Sequence, residues 1–121
     1  MESPENAGAY LSAGLKLAGK GALAEAIAQF EAGARLRPGN SIIQYNLGLA
    51  LQQAERFLDG IQAYEKAVAI SPDFFEAWCN LAVAFLKSRR FDAAVAAARK
   101  AVNLEPYDVQ ARRLLASALH A

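Results

Sequence analysis

Three prolines, Pro38, Pro72 and Pro106, stand at equal intervals along a chain of 121 residues. Proline lacks a backbone donor and disfavours helix at the residue before it, so each marks a break at the same phase of a repeating pattern. Between breaks, apolar residues recur at helical spacing. In 41–72, Tyr45, Leu47, Gly48 and Leu51 mark one amphipathic helix, and Phe57, Gly60, Ile61, Tyr64, Ala67, Val68 and Ile70 mark a second. Each carries more apolar surface than an isolated helix pair can hide. The surplus must be covered by neighbouring copies of the same unit.

Displacing the sequence by the proline interval brings those copies into line. Tyr10, Gln44 and Trp78 coincide, as do Ala13, Leu47, Leu81 and Leu115, each followed by a small residue (Gly14, Gly48, Ala82, Ala116). Leu17, Leu51, Phe85 and Leu119 come next. In the second helix of each unit, Leu23, Phe57 and Phe91 align, then Ala26, Gly60 and Ala94, then Phe30, Tyr64 and Ala98, then Gly33, Ala67 and Ala101. Gly48 and Ala82 let two antiparallel helices approach, and Ala26, Gly60 and Ala94 are expected to do the same toward the next unit. A larger side chain at these seams should overpack them at a cost of about 1–3 kcal/mol.

The breaks set the helix limits. Ser3, Pro4 and Glu5 predict a helix start, since the hydroxyl accepts from a free N–H and the carboxylate suits the positive helix end. Helices are predicted over 4–18, 22–36, 41–54, 57–70, 74–88 and 91–104, with a seventh after Pro106. Asn40 and Asp108 are expected to cap the third and seventh, and Asp73 with Glu76 to form a capping box for the fifth. No useful stretch alternates with period two, so the predicted fold is all-α.

The recurring pattern of an aromatic, Leu-Gly, Tyr, Ala, aromatic, Ala and Pro resembles the tetratricopeptide repeat (TPR) family over residues 7–121. The proline interval matches that family's period of about 34 residues. Gln44 and Ala98 depart from its aromatic positions. The resemblance implies a right-handed superhelical solenoid of antiparallel helix pairs, seven helices in one domain. Its repeats run 7–40, 41–74 and 75–108, with a capping or partial fourth-repeat helix over 109–121. For that last helix two readings stay open: a solvating cap with Arg112 and Arg113 in water, or an array that continues in a longer protein. The apolar ending Leu-His-Ala favours the second, in which the repeats dock substrates for a further domain such as a glycosyltransferase.

The family's first helices line a concave wall where partner peptides lie. Carried onto this sequence, that implies peptide-binding roles for Leu11, Leu15, Tyr45, Asn46, Leu49, Gln53, Cys79, Asn80, Val83, Lys87 and Arg113. In repeats that clamp the C-terminal carboxylate of heat-shock chaperones, cationic and amide residues would fall at Leu11, Leu15, Asn46, Glu76 and Asn80. Only Asn46 matches, so the clamp is rejected. An asparagine ladder, as in the superhelix attached to the O-linked N-acetylglucosamine transferase, is matched by Asn46 and Asn80 but not by Ser12 and Leu114. The expected function is therefore a module binding an extended or helical apolar segment of another protein. The alternative is a scaffold that assembles with itself through the array ends.

Composition agrees with this reading. Apolar residues make up 55% of the chain but 28 are alanine, so its core relies on close helix contact. With 13 Lys+Arg against 12 Asp+Glu there is no basic stripe to hold nucleic acid. A single cysteine, Cys79, rules out an internal disulfide. The polar, acidic start MESPENAG does not resemble a secretory signal, and no apolar run suits membrane insertion, which points to the cytoplasm. No catalytic constellation, metal cluster or cofactor motif emerges: the one histidine, His120, is penultimate, and Cys79 has no histidine near it. The chain is expected to be no enzyme and to need no cofactor or metal.

Overall fold

The computed structural model describes residues 6–121. The described chain forms α1 (Ala7–Gly19), α2 (Leu23–Leu36), α3 (Ser41–Gln53), α4 (Phe57–Ile70), α5 (Phe75–Lys87), α6 (Phe91–Leu104) and α7 (Val109–Leu119), with no strand among those residues. The predicted limits hold to within about a turn. The Ser3-Pro4-Glu5 start lies outside the described residues.

Helices pair as α1–α2, α3–α4 and α5–α6, and α7 packs on α6 and α5. The odd-numbered helices also touch one another in succession, whereas α2, α4 and α6 do not meet. The array is closed along the odd helices and splayed along the even ones. This places α1, α3, α5 and α7 on the inner wall of an all-α solenoid.

Within each hairpin the turn is a tight left-handed close. Gly21, Glu55 and Arg89, one from each repeat at the same register, have φ of 79°, 62° and 61°. The next residue's N–H reaches back five residues: Ala22 to the Leu17 carbonyl at 2.9 Å, Arg56 to Leu51 at 2.8 Å and Arg90 to Phe85 at 2.8 Å. These bonds satisfy carbonyls that a helix end leaves free. Repeat one uses the residue suited to this geometry, and repeats two and three hold Glu and Arg there against steric preference.

The hairpin seam explains the small residues. A Cβ on Gly48 would lie 2.6 Å from Cε1 of Tyr64, and one on Gly14 would run into the ring of Phe30. Both rings are fully buried. In repeat three, Ala82 and Ala98 occupy these two registers and both are buried. Gly60 departs from expectation: its Cα faces the Gly48 carbonyl, at 3.3 Å from a built Cβ, and so contacts its own hairpin rather than the next. Gln44, standing where repeats one and three have aromatics, is 5% exposed, and its Oε1 has no hydrogen-bond partner among the described residues.

Between hairpins, Asn40 Oδ1 accepts from the Ile43 N–H at 3.1 Å and Asp108 Oδ1 from the Ala111 N–H at 2.9 Å, both as expected of caps. Asp73 does not cap α5. The register of Asn40 and Asp108 puts the cap position at Phe74, which has no side-chain cap bond. Its ring packs on Tyr45 instead, with centroids 4.8 Å apart. The same joint is tied by Trp78 Nε1 donating to the Pro72 carbonyl at 2.8 Å and by Ser71 Oγ donating to Ser41 Oγ at 2.8 Å.

Candidate functional site

Side chains of the odd helices reach the inner wall at three registers, and the structure gives each a different part. The first comprises Leu11, Tyr45, Cys79 and Arg113, and it points toward the next odd helix. Leu11 packs against the α2–α3 core. Tyr45 lies half-buried, stacked on Phe74 and accepting at its hydroxyl from Asn80 Nδ2 at 3.0 Å. Burial, and then Glu76, push its phenol above the ordinary tyrosine range.

Cys79 corrects the expectation. It is 5% exposed, packed with Ala101 and Ala111, and does not offer its thiol to the wall. Burial, then Asp108 and Glu76, push the thiol up to about 11, so it is inert at neutral pH. Arg113 is exposed.

The second register holds Asn46 and Asn80. Each donates inward, Asn46 Nδ2 to the Ile42 carbonyl at 2.9 Å and Asn80 Nδ2 to Tyr45. Each amide thus spends one of its two N–H donors within the chain, which leaves the other donor and the carbonyl oxygen as what a ladder could offer a peptide.

The third register, Leu15, Leu49 and Val83, is the apolar strip of the wall. Here the structure brings four of the expected residues together. Leu15, Asn46, Leu49 and Gln53 surround a hollow of about 240 Å³ between α1 and α3, with the Phe30 ring and Ala50 at its base. Leu15 is 48% exposed, a large apolar group held at a surface by the hollow beneath it. Val83 and Lys87 stand one repeat further on. Val83 is half-buried, and Lys87 is exposed with its Nζ 5.7 Å from the centroid of Phe57. Val83, Lys87 and Arg113 do not line that hollow.

Among the described residues, no group of three or more His, Cys, Asp or Glu is placed to hold a metal ion. No helix among them is long and apolar enough to cross a membrane.

Such an array of helical hairpins with a partly apolar inner wall defines a helical-repeat solenoid. A family model described as tetratricopeptide repeat matches residues 45–109 and again 79–121. The chain belongs to the tetratricopeptide repeat family. Its fold is similar to the first TPR of Spaghetti (RPAP3) bound to an HSP90 peptide: TM-score 0.92, 20% identity, 98% of this chain and 94% of that one. It is also similar to the Arabidopsis OM64 TPR domain (TM-score 0.89, 20% identity, 97% of each chain). A third likeness is to MamA (TM-score 0.91, 21% identity, 97% of this chain and 68% of that one). No curated protein matches the chain.

Proposed function

We propose that this protein is an interaction module whose inner wall takes an apolar segment of another protein, centred on the hollow between α1 and α3. The observation that carries the reading is Leu15, Leu49, Asn46 and Gln53 arranged around one 240 Å³ depression. Two leucines supply the apolar contact, and two amides at the edge supply acceptors and donors for a backbone that has left water. The solved RPAP3 domain was seen with an HSP90 peptide on the same fold, which supports a peptide as the class of ligand. Its chemistry here differs, because Leu11 and Glu76 stand where a carboxylate clamp would need cations and Leu15 where it would need an amide.

Burying three apolar side chains yields roughly 4–9 kcal/mol gross. Association costs of about 4 kcal/mol or more reduce that to binding of the micromolar class. Tyr45 is a poor probe, because its ring also supports Phe74 and the Asn80 amide. Leu15→Asp with Gln53→Lys changes the exposed rim alone. Capture of a partner by the full chain should fall at least about tenfold in the double variant while helicity and Tm hold. Unchanged capture would remove the hollow from consideration.

Self-assembly is supported by a separate observation. Leu115, Ala116 and Leu119 hold the registers at which Leu81, Ala82 and Phe85 are buried under α6, yet Leu119 is 51% exposed. Light scattering should show mass rising with concentration, and Leu119→Lys should suppress the rise. A concentration-independent monomer contradicts that second reading and leaves the first standing.

A further inference from the structure

The outer side of the array carries grooves of its own, opened where successive even helices diverge. Two occupy the same register in successive repeats, and their chemistry is opposite. Between repeats two and three the groove is one depression of about 520 Å³ floored by Trp78, Leu81 and Phe85 of α5. Its α4 wall is Val68 and Ala69, its α6 wall Ala93 and Ala96, and only Glu65 and Lys100 are charged. Between repeats one and two the equivalent space is split into hollows of about 370 and 160 Å³. There Arg35 replaces Ala69, Gln44 replaces Trp78, Asp59 replaces Ala93 and Gln62 replaces Ala96.

The backbone and the charged rim are thus repeated, since Glu31 and Lys66 match Glu65 and Lys100, while the space between those charges is polar at one joint and apolar at the other. Small apolar side chains at 93 and 96 are not a requirement of the fold, since α4 carries Asp59 and Gln62 at the same register. At this joint they leave Trp78 partly exposed above the buried Leu81 and Phe85.

We propose that this outer groove binds an amphipathic helix of a partner protein, distinct from the segment held by the inner wall. Two features select a helix. The lining offers almost nothing to a peptide backbone: the Trp78 N–H is already spent on the Pro72 carbonyl, leaving only the two rim charges. An extended strand would leave its own N–H and C=O groups unpaired there, whereas a helix satisfies them internally. The charges select its flanks, with Glu65 on the α4 rim and Lys100 on the α6 rim. The complementary helix presents a leucine-like ridge with basic residues along one side and acidic residues along the other.

Trp78, the sole tryptophan, sits on the groove floor and reports occupancy directly. The probe is a synthetic helical peptide with leucines at i, i+4, i+7 and i+11, lysines on one flank and glutamates on the other. Titration into the full chain should shift Trp78 emission saturably. Peptides with lysine on both flanks, or glutamate on both, should bind about two- to fivefold more weakly at low salt. Ala93→Asp with Ala96→Gln installs the side chains that repeat two already carries at this register. It should keep the fold by circular dichroism and weaken the peptide by about tenfold or more. Leu15→Asp, on the inner wall, should leave the emission shift unchanged, which separates this site from the one above. Three results overturn the inference: no emission change up to millimolar peptide, equal binding by the Ala93/Ala96 double variant, or sedimentation showing a dimer that this variant abolishes. The last would make a second copy the occupant.

Discussion

Glu55 and Arg89 sit in left-handed backbone that an L side chain enters at a cost of about 1–2 kcal/mol. Gly21 meets the same demand without strain. Glu55→Gly should therefore stabilise the protein by up to about 1 kcal/mol, after the greater freedom of glycine in the unfolded chain is subtracted. Urea unfolding read by circular dichroism checks this, and a loss of stability would contradict it. Arg89→Gly is the less clean change, since the Arg89 guanidinium carbon lies 5.4 Å from the centroid of Phe91. The strained pair was invisible in the sequence, because Glu and Arg carry no signal for positive φ. Gly21 was legible because Gly19-Lys20-Gly21 reads as a turn. The seam residues Gly14 and Gly48 were legible too, through their recurrence beside Leu and opposite an aromatic.

At the scale of helices, the proline period was enough to place every element in the described chain, since breaks and apolar phases agree. What it misplaced were local trades. Asp73 has the composition of a cap, but Phe74 occupies the cap register and spends it on the Tyr45 ring. A cap contributes about 1 kcal/mol, whereas burying much of an aromatic side chain contributes about 1.5–3 kcal/mol, so packing wins. Phe74→Asn should restore a cap at the α5 start and still lower stability by about 1 kcal/mol net, measured by urea unfolding. A variant more stable than the parent would show that the ring contributes less than the cap. Cys79 was misplaced for a related reason. Helical phase puts it on the inner side of α5, but α7 packs across that phase and encloses it. Phase gives the direction of a side chain and not what the next repeat lays over it.

For the molecule as a whole, enclosure of the thiol and two phenols gives a pH dependence of definite sign. The Cys79 thiol rises from an ordinary value of about 9 to about 11 in the folded protein. Across that window the unfolded chain releases a proton that the folded chain keeps. Stability is then complete below about pH 9 and falls as pH rises toward 11. The phenols of Tyr45 and Tyr64, both pushed up chiefly by burial, act in the same direction above pH 10. The Tm should hold up to about pH 9 and decline from there to about pH 10.5, and Cys79→Ala should flatten the lower part of the decline. A Tm constant over that range would contradict the burial of these groups. The inner wall was legible in outline from the odd-helix registers, whereas its division into seam, amide and apolar columns required the packing of successive helices. The outer groove was not legible, because alanine is common throughout the chain and its absence of bulk matters only beside Trp78 and Phe85.

The proposed seat for a partner's apolar segment is the inner wall between α1 and α3. Site-specific photo-crosslinking probes it, with a photoreactive residue placed in turn at Leu49 in the hollow and at Leu58, exposed on α4. A partner adduct is expected from position 49, lost on adding Leu15→Asp, and none from position 58. An adduct from position 58 with none from position 49 would contradict that seat.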